Sequence, residues 1–563
     1  MQSCLPSAVD AIRPERSAVA GTPAGTVVVR AAGLRVHCGT VTAAGDAAPR
    51  AGELAVFCRP VVAAPVLARR DGTVAADAWL PDLVRLGELE RHLGDGVIEA
   101  IVDAELAKRR LKKRQRRRLM SYPLVIRLML AMGLMPEASY CESLARLAGL
   151  LADVPFALEW HVPTEKVVTG WRLLIPAGVM EDIFWHAAGP LICDDEPSAV
   201  MLAGMMACAA DGMLVNLADT PANRAMFGST GTADDSAPFP QLRVVALTAR
   251  AGRAMLGAIL GSSSAGEQTL LKRLARRRPD LFAGRVTCFD RNFPGYDLIT
   301  AILNAGGHVI ARMKEGISLD FADGGDRGWL PDGSRLSWLN APSGKTQDRL
   351  PVRVTEHNAV LAAGDGTEEI SETCTVITTV LDHRAAPADA VRETYLTRWS
   401  ASETTFGEDK TTITGAGNRT SGPVLRSGSP RLVIQEAWAW LTGTQLARAS
   451  ASAALRSEHA GARALRRKND ALVTADEESF TAVVRHMIRS MTSTQVTASS
   501  SLEAIAAAAD AAARAALHTL NLPGRHRHSE RAQKARPKFP HATATKTTVT
   551  GKLQVTVFAP GLC

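Results

Sequence analysis

The chain has 563 residues and a formal net charge of +8; 46% of its residues are hydrophobic and 22% are charged. This length predicts more than one domain, and the composition is ordinary for a soluble globular protein. The longest apolar run, Ala199 to Ala210, is too short to span a bilayer, and no secretory signal pattern opens the sequence. The nine cysteines have neither CxxC pairs nor metal-ligand spacing, so we expect a cytoplasmic protein with reduced thiols and no cysteine metal site.

The first two segments of the chain differ in pattern. Residues 1–78 are rich in Ala, Val, Gly and Pro without a sustained period, which predicts a poorly ordered extension or an over-extended translation start. Residues 79–180 show helical spacing. Within them, Glu137 to Leu151 and Thr164 to Leu174 fit a helix-turn-helix, with Thr164 as cap of the second helix and Lys166 and Arg172 facing outward.

A strongly basic run, from Lys108 to Arg118, lies among these predicted helices. In an arbitrary protein such a run is usually a solvated face, but clustered cations also favour contacts with nucleic-acid phosphates. The candidates for phosphate contact are Lys112, Lys113, Arg116 and Arg117.

Residues 195–307 alternate strand-like runs with one helix, in the order three strands, a helix, then a strand. We predict a turn at Asp211-Gly212 after the first strand and a capping box from Ser264 to Glu267 at the start of the helix. The last strand ends at Asp290. The predicted strands are Met201 to Ala210, Leu242 to Thr248, Met255 to Leu260 and Val286 to Phe289.

The remaining chain divides into three further segments. Residues 308–386 carry strand and turn signals, and residues 387–450 return to helix. Residues 451–563 lose the core pattern and are expected to form a helical and basic tail, in which zinc ligands at the required spacing are absent.

One predicted helical segment, Tyr395 to Lys410, contains the third acidic residue of a possible catalytic set. Glu403 and Lys410 are seven positions apart and therefore share a helix face. With Asp211 and Asp290 upstream, Glu403 completes three carboxylates from separate elements, the set that two-metal phosphoryl transfer needs. Taken singly, the three have ordinary interpretations: an Asp-Gly turn, a surface ion pair and a solvated helix residue. The nearby acids Glu408 and Asp409 are expected to be solvated.

The motifs around these carboxylates resemble those of the insertion-sequence-4 family of DDE transposases. The segment Cys208-Ala-Ala-Asp211-Gly212 resembles the family's first-aspartate motif, and Val286 to Phe293 resembles its second. Tyr395, Arg398, Glu403 and Lys410 resemble its tyrosine-arginine-glutamate-lysine signature. The motifs occur in the family's order, the resemblance covers roughly residues 80–450, and the richness in Ala, Arg and Gly looks like a high-GC bacterial genome.

The resemblance implies a fold and a function. The fold would be α/β: a ribonuclease-H-like mixed sheet with helices in residues 195–307 and 387–450, interrupted by the β-rich insertion 308–386 and preceded by a helical DNA-binding domain, 79–180. The enzyme would cut double-stranded DNA at the terminal inverted repeats of an insertion sequence and join the 3′-hydroxyl ends to target DNA. It would act as a homodimer in the synaptic complex and, in the bacterial cytoplasm, associate with the nucleoid when bound.

The resemblance also assigns roles to residues. Asp211, Asp290 and Glu403 would hold two Mg²⁺ ions, for which Mn²⁺ can substitute. Tyr395, Arg398 and Lys410 would hold DNA phosphates near the scissile bond. Further contacts would come from Arg291, for which a surface salt bridge is the alternative, and from the basic run. Two other functions stay open: a catalytically inactive, transposase-derived DNA-binding protein, and a hydrolytic nuclease of the same fold.

One spacing departs from the family pattern. The family places its arginine and glutamate four positions apart, whereas Arg398 and Glu403 are five apart. At about 100° per residue, five positions would turn the two side chains about 140° apart on a regular helix. We therefore predict a π-bulge near Ser400 to Ser402; the alternative is that Arg398 has lost its role.

Overall fold

The structure is a computed structural model, and it describes the chain in discontinuous ranges. These are residues 30–31, 34–35, 92–93, 96–108, 120–135, 138–149, 161–188, 200–230, 239–249, 251–314, 319–321, 328–341, 349–363, 369–398, 404–408, 424–460, 479–492, 511, 514–515, 526–528, 531–532, 541–542 and 549–557. The chain separates into two compact units: residues 1–65 with 95–97, and residues 66–94 with 98–563. Within the first unit the described part is a short antiparallel pair, β1 (Arg30–Ala31) and β2 (Leu34–Arg35).

The second unit combines helices with one large mixed sheet. The helices are α1 (Val97–Lys108), α2 (Tyr122–Leu134), α3 (Tyr140–Gly149), α4 (Glu165–Leu174), α5 (Ala177–Ala188), α6 (Pro221–Phe227), α7 (Glu267–Arg277), α8 (Tyr296–Asn304), α9 (Ala388–Leu396), α10 (Thr404–Glu408), α11 (Pro430–Ala460) and α12 (Phe480–Thr492). None of the helices in the described ranges is long and apolar enough to cross a lipid bilayer.

The strands of this unit are numbered in chain order. They are β3 (Met201–Leu202), β4 (Met205–Leu217), β5 (Gln241–Ala249), β6 (Met255–Ser262), β7 (Arg285–Phe289), β8 (His308–Arg312), β9 (Asp320–Phe321), β10 (Arg335–Asn340), β11 (Arg349–Ala363), β12 (Glu369–Thr378), β13 (Val424–Leu425), β14 (His526–His528), β15 (Arg531–Ala532), β16 (His541–Ala542) and β17 (Val549–Val557).

The central path of the sheet runs β14-β17-β11-β12-β8-β7-β4-β5-β6. Strands β4, β5 and β6 are antiparallel neighbours, whereas β7 lies parallel to β4 and β8 parallel to β7. The predicted order of three strands, a helix and a strand is therefore present as β4, β5, β6, α7 and β7. Strands β11 and β12 continue the same sheet through β8, so the predicted β-rich insertion is not a separate sheet.

Helices cover both faces of this sheet. Buried side chains of β4, β7 and β8 that include Cys208, Phe289 and Ala311 pack with Leu270 and Leu271 of α7 and with α8. On the opposite face, Val286, Cys288 and Ile310 pack with Val391 and Tyr395 of α9. The alternation of neighbouring residues between two apolar cores is what a strand buried on both faces requires.

The buried cysteines behave as the composition predicts. Cys208 and Cys288 are free thiols inside these cores, and burial raises the pKa of the Cys208 thiol to about 11 and that of Cys288 further. Both thiols therefore stay protonated and act as small apolar side chains.

A helical layer rests on α2 and α11. Ten of the thirteen residues of α2 are buried. Two glycines let α2 and α11 approach closely: a Cβ on Gly133 would lie 2.9 Å from the Trp440 Cα, and one on Gly443 would lie 3.2 Å from the Leu130 carbonyl oxygen. Helix α2, in the segment where the sequence shows helical spacing, is thus a packed core element.

The predicted helix-turn-helix is correct in its helices and wrong in one side chain. Helices α3 and α4 fall where the pattern places them, and Thr164 is the N-cap residue of α4, although its side chain makes no capping hydrogen bond. Arg172, expected to face outward, is fully buried. It donates hydrogen bonds to the Tyr140 hydroxyl at 2.6 Å and to the Leu432 carbonyl at 3.0 Å. Arg172 therefore ties α4 to α3 and α11 and cannot contact DNA.

Three further predictions about local structure are wrong. Asp211-Gly212 is not a turn but lies inside β4, because β5 continues to pair opposite it. The capping box is absent: Gly266 is the N-cap of α7, and the Ser264 hydroxyl bonds to that of Ser262 instead. The predicted single helix from Tyr395 to Lys410 is interrupted, since α9 ends at Leu396, where the Thr397 hydroxyl donates to the Thr394 carbonyl at 2.7 Å.

The C-terminal segment also contains a strand that was not predicted. Strand β17 pairs antiparallel with β11 and extends the sheet. The predicted Ala-rich helix from Glu503 to Leu520 falls almost entirely outside the described residues, and the six-segment domain division stays a prediction.

Candidate active site

Two of the predicted acids come together in the middle of the sheet, where the pairing of the parallel strands β4 and β7 ends. Strands β4 and β7 are parallel, and Ala209 lies opposite Cys288. Two positions further along, Asp211 comes level with Asp290, on strands that are spaced about 4.8 Å apart. Strand β7 ends here while β4 continues, paired with β5 and, at its end, with β13, so both carboxylates stand where the pairing of β4 with β7 stops.

The two aspartates also share a face. Side chains alternate along a strand, and Cys288 of β7 packs toward α9, so Asp290 projects to that face as well. In β4, Cys208 and Ala210 pack toward α7, which places Asp211 on the α9 side. The same reasoning places Arg312, level with Asp290 at the end of β8, on this face. We call Asp211, Asp290 and Arg312 the strand edge.

Each aspartate is oriented by a nearby backbone amide. The Gly212 amide donates to the Asp211 Oδ1 at 2.8 Å, and the Asn292 amide donates to the Asp290 Oδ1 at 2.7 Å. A carboxylate offers about four lone-pair sites, so one such bond fixes its orientation without using up its capacity to bind a cation or a proton.

A third carboxylate, Glu267, adjoins the strand edge from α7. Its Oε1 accepts a hydrogen bond from the Arg243 Nη1 at 2.6 Å. Burial raises the pKa of the Glu267 carboxyl, the Arg243 charge opposes that rise, and the negative charges of Asp211 and Asp290 add to it. Glu267 therefore lies within electrostatic range of both aspartates, from the α7 face of the sheet.

Gly212 packs closely against Glu267. A Cβ at this position would lie 2.6 Å from the Glu267 Oε1, so the glutamate side chain would have to shift. Gly212 and Glu267 meet on the α7 face of β4, whereas Asp211 projects to the α9 face.

Tyr395 and Arg398 adjoin the strand edge from the end of α9. Both are buried, and the Arg398 guanidinium lies 5.9 Å from the centre of the Tyr395 ring. Burial raises the pKa of the Tyr395 hydroxyl to about 12, against the lowering effect of Arg398 and Arg312, and Asp290 adds a small rise. The tyrosine thus stays protonated near Asp290 and two arginines. Its burial in the α9 core fixes it there.

The other predicted site residues divide into two groups. Arg291 is half-buried directly after Asp290, and it forms no ion pair with any acid in the described ranges. The rest lie outside the described residues: Glu403, Lys410, Lys112, Lys113, Arg116 and Arg117. The position of the predicted π-bulge, near Ser400 to Ser402, lies outside them too. We call residues 397–410, which include Glu403, the glutamate segment.

The described part of the glutamate segment corrects one expectation. Glu408, expected to be solvated, is 14% exposed and forms an ion pair with Arg253. Thr405 and Phe406 are buried. Sequence reasoning missed the pairing of Glu408 and Glu267 with their arginine partners, because each pair joins residues far apart in the chain.

The donor set within the described ranges is incomplete for a metal site. No group of three His, Cys, Asp or Glu side chains placed to hold a metal ion occurs there. Asp211 and Asp290 supply hard carboxylate oxygens from adjacent strands, the chemistry that Mg²⁺ prefers, and the third predicted ligand, Glu403, lies outside those ranges.

Comparison with known proteins gives one partial relative. No family model matches the chain. The transposase InsG for insertion sequence element IS4 of Escherichia coli (strain K12) is 25% identical over 247 residues, which are 44% of this chain and 52% of the relative. The match thus spans about half the length of that relative. A cryo-EM structure of a piggyBac transposase synaptic complex with hairpin DNA aligns over 72% of this chain and 79% of its own, with 8% identity and a TM-score of 0.36, too low to establish a shared fold.

Proposed function

We propose that this chain is a DNA transposase of the DDE type, which cuts at the ends of an insertion sequence and joins the freed 3′-hydroxyls to target DNA. The observation that carries the proposal is the strand edge, where Asp211 of β4 and Asp290, directly after β7, lie just beyond the last pair of the two parallel strands. The partial similarity to an insertion-sequence transposase supports the same function.

The topology supports the finer assignment to a ribonuclease-H-like core. Three antiparallel strands, β6, β5 and β4, are followed across the sheet by the parallel strands β7 and β8, with α7 between β6 and β7 in the chain. The first aspartate is on the first of these strands, β4, and the second follows the fourth, β7. This is the arrangement that the family resemblance implies.

In the proposed site Asp211, Asp290 and Glu403 hold two Mg²⁺ ions. Bound there, the ions would activate the attacking oxygen and stabilise the leaving one. The protein's own part is to hold the acids in place: strand pairing fixes Asp211, Asp290 directly follows β7, and the Gly212 and Asn292 amides orient the two carboxylates.

The cations beside the strand edge are proposed to bind DNA phosphates. Arg398, next to Tyr395, is the candidate for a two-point phosphate contact through its planar guanidinium. Lys410 would add a point charge. Because the pKa of Tyr395 is about 12, its hydroxyl is neutral at physiological pH; it keeps a proton with which to donate a hydrogen bond and does not act as a base.

The test is a strand-transfer assay with a labelled duplex that carries the inverted repeat from the DNA flanking the gene, together with target plasmid and Mg²⁺. We expect joined product from the wild type. Cleavage without joining would identify a hydrolytic nuclease, and binding without cleavage an inactive DNA-binding protein. Asp297→Asn is the matched control, since Asp297 is an exposed acid of α8 paired with Lys272, and it should retain full activity.

A further inference from the structure

Helix α7 presents a basic surface to solvent. It has one acid, Glu267, at its first position and four cations among its last six residues. Its apolar residues are buried against the sheet, so the cations lie on the outer side of the helix. The buried side consists of Leu270, Leu271, Leu274 and Ala275.

The cations of this region differ in whether an acid neutralises them. Three of them form ion pairs with nearby acids: Lys272 with Asp297, Arg277 with Glu181, and Arg278, directly after the helix, with Asp280. Arg273 and Arg276 are both exposed, and neither forms an ion pair with an acid in the described ranges. These two arginines therefore keep their charge available for a partner outside the chain.

The two arginines belong to one stripe along the helix. Thr269, Arg273 and Arg276 are exposed and are spaced four and three residues apart, so they share one side of α7. Since each residue of a helix rises 1.5 Å, Arg276 lies about 14 Å farther along the axis than Glu267. We call Thr269, Arg273 and Arg276 the basic stripe.

The basic stripe begins near the strand edge. The Gln268 side-chain amide donates to the Asn292 carbonyl oxygen at 2.8 Å, which attaches the loop that follows Asp290 to the first turn of α7. Arg291 lies in the same loop and also has no acidic partner in the described ranges. Phosphates of one DNA strand follow each other at about 3.4 Å along the duplex axis, so the length of the stripe corresponds to about four nucleotides.

A solvated helix face is the ordinary interpretation of such a stripe. Cations at the end of a helix also complement the helix dipole, but this effect falls off within the last turn. The dipole therefore accounts for Arg276, which lies in the last turn of α7, and not for Arg273. Acids of neighbouring elements neutralise the other cations of this surface and leave these two exposed.

We propose that the basic stripe binds the backbone of double-stranded DNA that extends away from the strand edge, through its phosphates and without reading base sequence. Charge complementarity identifies the occupant, because a guanidinium offers a two-point contact to a phosphate and a threonine hydroxyl is a further donor of the kind that contacts DNA backbones. The stripe lies on the α7 face, whereas Asp211 and Asp290 project to the α9 face, so it is separate from the proposed catalytic residues. This inference rests on the proposed function.

The test compares Arg273→Gln, Arg276→Gln and the double variant with a control, Arg384→Gln. Arg384 is an exposed arginine in the turn between β12 and α9, and its replacement removes the same charge. Affinity for an end duplex with flanking DNA on both sides of the cleavage position is measured by fluorescence anisotropy across salt concentrations. We expect the slope of log affinity against log salt to fall in magnitude by about 0.9 in each single variant and by about 1.8 in the double variant. The control should keep the wild-type slope, and a duplex of unrelated sequence should show the same changes.

The position of the contacts gives a second readout. Ethylation of single phosphates in the end duplex weakens wild-type binding wherever a phosphate is contacted. The double variant should become insensitive to ethylation within about four nucleotides of the cleavage position on one side, and should keep the remaining contacts. Its cleavage rate at saturating DNA should equal that of the wild type, because the stripe does not touch the reacting atoms.

The possible failures are distinguishable. A wild type that cleaves the end duplex, while all three stripe variants keep its salt slope, would overturn the DNA contact. An equal fall of the slope in Arg384→Gln would overturn it too, because the effect would then reflect net charge alone. Altered sedimentation of the double variant without DNA would identify the stripe as a contact between protein chains instead. A wild type that never cleaves, although the stripe variants flatten its salt slope, would overturn the proposed function and support the stripe as a DNA surface.

Discussion

The strand edge and the glutamate segment are held in place by different kinds of interaction. Asp211 is placed by the backbone pairing of β4 with β5, and Asp290 directly follows the paired strand β7. The described part of the glutamate segment is placed by side chains, through the buried Phe406 and the ion pairs of Glu408. Cleavage that depends on the acids of the strand edge should therefore be lost only when those acids are replaced. Cleavage that depends on the glutamate segment should also be lost when the distant partners of that segment are replaced.

The largest expected effect comes from the acids of the strand edge. Asp211→Asn and Asp290→Asn keep the size of the side chain and remove its charge. We expect the cleavage rate to fall about 1,000-fold, which corresponds to about 4 kcal/mol of lost transition-state stabilisation. Binding of the end duplex, measured by gel shift, should stay within a few fold. Full cleavage by either variant would remove that aspartate from the site.

A smaller effect is expected where a side chain supports the strand edge. Gly212→Ala places a Cβ within 2.6 Å of the Glu267 carboxylate and should push that carboxylate off Arg243. We expect about a 10- to 100-fold loss of cleavage, as for other residues that orient a metal ligand. Glu267→Gln keeps the shape and should lose less. Wild-type cleavage by Gly212→Ala, with an unchanged melting temperature, would show that Glu267 is not coupled to Asp211.

The pH dependence of stability tests the surroundings of Tyr395. Its pKa is about 12 in the folded chain and about 10 in an unfolded one, so the unfolded state loses this proton first as pH rises. The folded state should therefore lose stability between pH 10 and pH 12 through this group, and be unaffected by it below pH 10. Tyr395→Phe should flatten the fall in unfolding free energy over that window, measured by urea titration. Identical curves would place Tyr395 in a more polar setting than its burial indicates.

The smallest effect is expected at Arg291, which has no acidic partner in the described ranges. Arg291→Ala should leave the fold unchanged and weaken binding of all DNA duplexes. If it contacts one phosphate, the slope of log affinity against log salt should fall by about 0.9. Arg278→Ala is the control, since Arg278 pairs with Asp280 and lies over Trp185. An unchanged slope would favour the surface interpretation of Arg291.

Sequence reasoning located the strands and their end acids but not what surrounds them. The aliphatic runs before Asp211 and Asp290 sufficed to locate both strands and the end of β7 at Asp290, because a strand buried on two faces reads as a continuous apolar run. The Asp211-Gly212 turn was wrong because a turn dipeptide carries no information about whether a neighbouring strand continues to pair beside it. Pairs such as Arg243 with Glu267 depend on tertiary contacts that no local pattern specifies.

The outward direction assigned to Arg172 failed for the same reason. Arginine is rarely buried, so an exposed Arg172 was the natural prediction from the helical spacing. In the structure, three polar groups from α3, the loop at Ser427 and α11 accept hydrogen bonds from its guanidinium inside the fold. Strand β17 did have a local signal, since Leu553, Val555 and Val557 alternate with polar residues in a part of the chain that otherwise reads as tail.

The pairing of β11 with β17 has a consequence for how the protein is made. The register sets His357 opposite Val557, so the two strands are separated by roughly 200 residues of chain. At about 5–20 residues per second, the ribosome delivers the second strand about 10–40 s after the first. Throughout that interval the nascent chain presents β11 with one row of backbone amides and carbonyls unpaired, a template for strands of other chains. Co-expression with a chaperone that shields nascent strands should therefore raise the soluble yield, and a stop codon placed before Val549 should lower it.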